Sequence, residues 1–158
     1  MRLVQTLEQL EIPWCMIGGL AVNHWAAEPM ATADVDVVIA TGKVEQAVLA
    51  LEGVGFKSKR FEWSINLAGK SSVSVQISTE DVYSGFPGRS VPADVHGILM
   101  RVASLQDTMT GKLLAWQDKA QRPSKRQKDL MDITRLVEAH PELLKSLPPD
   151  VKERIAQI

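Results

Sequence analysis

Residues 14–19 read Trp-Cys-Met-Ile-Gly-Gly, and fifteen residues after Gly19 the chain reads Asp34-Val35-Asp36-Val37-Val38-Ile39. The apolar run Trp14 to Ile17 is too short for a helix and stops at a glycine pair, which predicts a buried strand entering a tight turn. A helix is expected to follow through about Ala27, with Pro29 ending it. Ala33 to Ala40 then predicts a second strand, in which Asp34 and Asp36 alternate with Val35, Val37 and Ile39. Two residues apart on a strand, the acids share one face, with Cα atoms roughly 6–7 Å apart.

Each half of this pattern has its own chemistry. A glycine pair lets the backbone come close to a phosphate, and the helix behind it offers unpaired N–H groups and the positive end of its dipole. Two carboxylates on one strand face can share hard cations such as Mg²⁺, which bridge carboxylates to phosphate oxygens. Taken singly, a Gly-Gly pair also fits an ordinary turn, and Asp-Val-Asp also fits a solvated face or a guard against edge pairing. Together they suggest nucleotidyl transfer, because like charges on an otherwise apolar strand repel unless cations or water offset them.

Outward from this centre, Leu3, Val4, Leu7 and Leu10 recur at helical spacing and Pro13 closes that opening helix. Val44, Ala47, Val48 and Leu51 predict a further helix before Gly53 and Gly55. Phe56 to Phe61, Trp63 to Leu67 and the alternating Ser72 to Ser78 read as strands. Ser84 to Asp94 carries Gly85, Pro87, Gly88 and Pro92 and reads as a surface loop, followed by a strand in Val95 to Val102. From Leu105 the period is helical, with Met109, Leu113, Leu114 and Trp116 on one stripe and Leu130, Ile133, Leu136 and Val137 on another. Pro141 and Pro148-Pro149 mark two short closing helices. The expected class is α+β, a mixed sheet flanked by helices. An α/β core over residues 1–104 would carry a helical part over residues 105–158, packed into a single compact unit.

The whole chain sets the outer bounds. Its 158 residues are 45% hydrophobic and 23% charged, the composition of a globular domain. A net charge of -1 advertises no global basic field for nucleic acid. The lone Cys15 forms no internal disulfide, and no apolar run reaches the ~18 residues that span a bilayer. No signal-peptide pattern opens the chain, so a reducing, cytoplasmic setting is expected. His24, His96 and His140 lie in unrelated segments, which argues for surface or capping roles rather than a zinc site. The four tryptophans are spread over different elements and read as packing residues. Lys119, Arg122, Lys125, Arg126 and Lys128 crowd around Pro123 as a basic connection, either solvated or holding RNA or an acidic partner. Asp129 and Asp132 share a helix face with basic neighbours and suggest a local salt-bridge network.

Gly18-Gly19, a helix, then Thr32-Ala33-Asp34-Val35-Asp36-Val37 resembles the signature of the DNA polymerase beta-like nucleotidyltransferase superfamily. Lys112-Leu113-Leu114-Ala115 and Lys128-Asp129-Leu130-Met131-Asp132-Ile133 extend the likeness to the small bacterial proteins of the AbiEii toxin and minimal nucleotidyltransferase type, over roughly residues 12–138. The resemblance implies that Gly18 and Gly19, with Thr32 and Lys112, bind the nucleotide, and that Asp34 and Asp36 are catalytic and bind Mg²⁺. The implied reaction moves a nucleoside monophosphate from an NTP to a hydroxyl of RNA, protein or a small molecule. Two positions depart from the pattern. Gln76 stands where a third carboxylate is expected, and an amide lacks the charge that holds a metal or accepts a proton. Met30-Ala31 stands where arginine often precedes the acidic run. The alternative is therefore a catalytically degenerate member acting as a nucleotide- or partner-binding module, in a toxin–antitoxin or phage-defence setting. An aminoglycoside-modifying enzyme fits the same fold but needs an acidic acceptor pocket.

Overall fold

The acidic strand lies inside a seven-stranded sheet, hydrogen-bonded on both edges, in a computed structural model that describes residues 2–32, 34–95 and 97–157. Ala33 and His96, and the expectations attached to them, lie outside those residues. The helices are α1 (Arg2–Gln9), α2 (Gly18–Trp25), α3 (Val44–Gly53), α4 (Phe86–Arg89), α5 (Leu105–Gln117), α6 (Pro123–Ala139) and α7 (Pro149–Ala156). The strands are β1 (Trp14–Ile17), β2 (Asp34–Ile39), β3 (Lys57–Arg60), β4 (Ser64–Ala68), β5 (Ser74–Ser78), β6 (Val91–Val95) and β7 (Ile98–Val102). Their order across the sheet is β3-β4-β5-β2-β1-β7-β6. The class is α+β with a mixed sheet, as expected: β2 runs antiparallel to β1 and parallel to β5.

Alternation along β2 splits the molecule into two faces. Val35, Val37 and Ile39 point to the side covered by α1 and α3 and join Leu3, Leu7, Val48 and Leu51 in the main core. Asp34 and Asp36 point the other way. Farther along that second face, Val38, Cys15 and Ile17 are closed over by Phe86 of α4. Burial, with Asp107 adding to it, pushes the Cys15 thiol up to about 12, which makes it a packing group rather than a nucleophile. A second core joins Val22 of α2 to Met109, Ile133, Leu136 and Val151 of the C-terminal helices. That packing ties the helix behind the glycine turn to α5 and α6.

The stretch read as a loop between Ser84 and Asp94 instead carries the short helix α4 and most of strand β6, following a 3-10 turn at Asp81–Tyr83. Phe86 is buried, and β6 pairs with β7 from Val91↔Val102 to Val95↔Ile98. Pro92 misled the expectation because proline is excluded from central strands, whereas β6 is the outermost strand and needs no donor on its free side. The basic connection is also more ordered than expected: Pro123 opens α6, and Lys125, Arg126 and Lys128 lie in its first turns. His140 ends α6, with Nε2 2.8 Å from the Trp25 carbonyl, in the capping role foreseen for it.

Candidate functional site

Ile17 pairs with Asp36 across the β1–β2 ladder, so the turn after β1 begins beside that carboxylate. Gly18 has φ +69, and a Cβ built there would collide with Asp36 Oδ2. A Cβ on Gly19 would come within 2.9 Å of Thr32 Oγ1. Gly18 is therefore required for conformation and packing, and Gly19 for packing: the backbone lies directly on the acidic strand and on the residue two before it.

The approach to that strand is held from outside. Asn23 of α2 brackets Met30, donating to its carbonyl at 2.7 Å and accepting from its N–H at 3.0 Å. Arg135 of α6 donates to Asn23 Oδ1 at 2.8 Å and to the Glu28 carbonyl at 2.7 Å. This clamp fixes the connection that delivers Thr32 to Gly19.

On the other side, the parallel β2–β5 register sets Asp34 beside Ser74 and Asp36 beside Gln76. Ser74 Oγ donates to Asp34 Oδ1 at 2.8 Å. Neither acid forms an ion pair among the described residues, and Asp36 accepts no hydrogen bond there. Burial raises the Asp36 carboxyl above its ordinary value; Lys112 pulls against that rise and Asp34 adds to it. A half-buried carboxylate without a donor, two residues from another on the same face, invites a cation.

These groups floor a cleft of about 650 Å³ between the sheet and α5. Gly18, Asp34, Asp36 and Gln76 line it on the sheet side, and Thr108 and Lys112 face them from the helix. The turn and the acids thus converge on one cavity. Lys112 is 8% exposed and forms ion pairs with Asp129 Oδ1 at 3.1 Å and Asp132 Oδ2 at 3.0 Å. Burial pulls its ammonium toward neutrality, but Asp132 and Asp129 more than offset that, and its pKa ends above the ordinary lysine value. Lys125 also reaches Asp129 Oδ1, at 2.7 Å, and lines the cleft, while Arg135 holds Asp132 Oδ1 at 3.0 Å. Asp129 and Asp132 therefore form the expected salt-bridge network, and its two lysines line the cleft that holds the acids of β2.

Two further residues went unforeseen. Ser74 carries no local signal, since only strand register brings it to Asp34. Trp63 was expected to pack; Trp14, Trp25 and Trp116 do engage Glu8, the Ala103 carbonyl and the Arg126 guanidinium. Trp63, in the turn between β3 and β4, is 56% exposed and lines the cleft.

No group of three or more His, Cys, Asp or Glu side chains able to hold a metal occurs among the described residues. Two carboxylates nevertheless suit Mg²⁺, which commonly takes one or two carboxylates and completes its shell with water and phosphate oxygens. No helix among the described residues is long and apolar enough to cross a membrane.

Residues 21–157 match the family model described as nucleotidyl transferase AbiEii toxin, Type IV TA system. No curated protein sequence matches the chain. Among solved structures, the fold is similar to ANT(2")-Ia in complex with adenylyl-2"-tobramycin, with TM-score 0.66, 11% identity, 98% of this chain covered and 93% of that one. It is similar to an antigenic nucleotidyltransferase-like protein from Paracoccidioides brasiliensis, with TM-score 0.58, 18% identity, and coverage of 98% and 89%. The lincomycin-bound lincosamide antibiotic adenylyltransferase LnuA gives TM-score 0.58, 11% identity, and coverage of 85% and 94%.

Proposed function

The chain belongs to the AbiEii nucleotidyl transferase toxin family, and from that premise we propose that it transfers a nucleoside monophosphate from an NTP to a hydroxyl acceptor. The observation that carries the proposal is the seating of the Gly18 backbone against the Asp36 carboxylate at the floor of the cleft. An anion seat and an acidic pair then serve one bound triphosphate. Gly18 and Gly19 let the phosphates approach the N-terminus of α2, with Thr32 beside Gly19. Lys112 and Lys125 add positive charge from the opposite wall. Asp34 and Asp36 would hold Mg²⁺, which would supply neutralisation of the phosphate charge. Ser74 orients the Asp34 carboxylate toward the cleft by its hydrogen bond. The acceptor oxygen bonds to the α-phosphorus, the bond to the β-phosphate's bridging oxygen breaks, and pyrophosphate leaves. The hydroxyl proton passes to a cleft carboxylate or to water.

A second reading rests on Gln76, which lies in register beside Asp36 where related folds would place an acid. An uncharged amide there fits a degenerate member that binds nucleotide or a partner without turnover. Either version suits a cytoplasmic toxin–antitoxin setting.

Calorimetric titration of NTP with and without Mg²⁺ tests the first reading. The natural chain is expected to bind NTP in a Mg²⁺-dependent way, and Asp34→Ala with Asp36→Ala to lose that binding while the unfolding midpoint stays level or rises. Unchanged nucleotide binding in the double variant would refute it. Turnover that is absent in the natural chain but appears in Gln76→Asp would select the degenerate version.

A further inference from the structure

The alternation that points Asp34 and Asp36 into the cleft turns Val35 to the opposite face of the sheet, and a second cavity opens there. It holds about 510 Å³, within the roughly 300–1,000 Å³ of small-molecule sites. Met16 of β1, Val35 of β2, Val75 of β5 and Met100 of β7, all buried, form its floor. Leu3 of α1 and Phe56, just beyond α3, line it from the helix side. The cavity and the acidic cleft therefore share β2 and open on opposite faces of the sheet.

Val54 and Val73, 38% and 40% exposed, are aliphatic side chains left open to solvent at this cavity. Water gains little inside, because Arg2, Lys70 and Ser71 are the only described lining residues with polar side chains. Apart from the Phe56 ring, the apolar lining is aliphatic. Arg2 and Lys70 are exposed, so their charges stand at its mouth. Neither forms an ion pair among the described residues, and no described acid lines the cavity. The cations of the acidic cleft differ in this respect, since Lys112 and Lys125 are already paired with Asp129.

From this complementarity we propose that the cavity binds a medium-chain aliphatic carboxylate. Its alkyl chain lies on the strand floor and covers Val54 and Val73, while its head group meets Arg2 and Lys70 at the mouth. Removal of methylenes from water supplies the affinity, in proportion to the apolar area covered. The guanidinium and ammonium groups set the polarity, attracting an anionic head and repelling a cationic one. The site uses neither NTP nor Mg²⁺, so it stands apart from the transferase reading.

Calorimetric titration of the full-length chain with octanoate, decanoate and dodecanoate, below their micelle concentrations and without nucleotide, is the test. Saturable one-to-one binding is expected, tightening about tenfold with each added pair of methylenes. Decyltrimethylammonium, with a chain of similar length and a cationic head, should bind about tenfold more weakly than decanoate. Arg2→Gln combined with Lys70→Gln should weaken decanoate about tenfold and remove its advantage over the cationic probe. Val73→Trp, at a position already open to solvent, should fill the cavity and abolish binding with the unfolding midpoint kept. Absence of saturable binding, equal affinity for the two head groups, or unaltered decanoate binding in Val73→Trp would overturn the proposal. Dimerisation that Val73→Trp abolishes, without decanoate binding, would assign the face to a second copy of the chain instead. Should Val73→Trp fold poorly, the double substitution of exposed Arg2 and Lys70 still decides the site.

Discussion

Two pairs of aspartates, one on the sheet wall of the cleft and one buried behind its lysines, have opposite fates. Asp129 and Asp132, three apart on α6, are buried and met by Lys112, Lys125 and Arg135. Asp34 and Asp36, two apart on β2, meet no cation within ion-pair distance among the described residues; Asp34 has Ser74 and Asp36 has neither donor nor cation. The first pair is bound up in holding α5 to α6. The second leaves its charge unspent, in the place where a triphosphate and a cation would need it. Burial of a carboxylate thus says little by itself, since the most buried acids here are structural, while half-buried Asp36 and exposed Asp34 face the cavity.

The sharpest way to break this contrast is to remove one acid from each pair and compare stabilities. Asp129→Ala leaves Lys112 buried with half its counter-charge and should cost about 3 kcal/mol in urea unfolding, whereas the double substitution of Asp34 and Asp36 should cost nothing. Equal losses would erase the distinction. Gly18→Ala comes next: it forces a side chain into a left-handed backbone and against Asp36, for an expected loss of about 2 kcal/mol. It should also abolish NTP binding measured by calorimetry, which Asp129→Ala should weaken only through Lys112. The smallest effect concerns pH. In the fold, the raised pKa favours neutral Asp36, so its ionisation costs stability. That cost is complete above the raised folded value and vanishes below the ordinary carboxylate range. Asp36→Asn should therefore raise the urea midpoint at neutral pH, and the gain should fade as the pH is lowered. A gain that persists in acid would assign the effect to packing instead of charge.

The two ends of the cleft differ in how openly the sequence displays them. The glycine pair and the acids were legible because turn and strand periodicities are local: Gly18-Gly19 follows a four-residue apolar run, and Asp34 and Asp36 stand in an otherwise apolar strand. Lys112 and the Asp129–Asp132 pair were legible as charges, and helix spacing alone suggested the network. The β4–β5 end was not legible. Trp63 looks like any core tryptophan until the turn between β3 and β4 leaves it exposed in the cleft lining, and Ser74 gains a role only through the β2–β5 register. Pro92 marked a break in the chain but became part of an edge strand, a status that strand order alone decides.

What the sequence determined by itself is therefore the chemistry of short segments: where the backbone can turn tightly, which strand carries like charges on one face, and which helices hold an apolar stripe. Partnership was left to the tertiary structure. Whether an acid is neutralised depends on which side chains the fold brings to it, and Coulomb energy follows distance in space, not separation along the backbone. The docking of α5 on α6 gave Asp129 its second lysine, Lys112, while strand pairing set Asp36 beside Gln76 and left it without one.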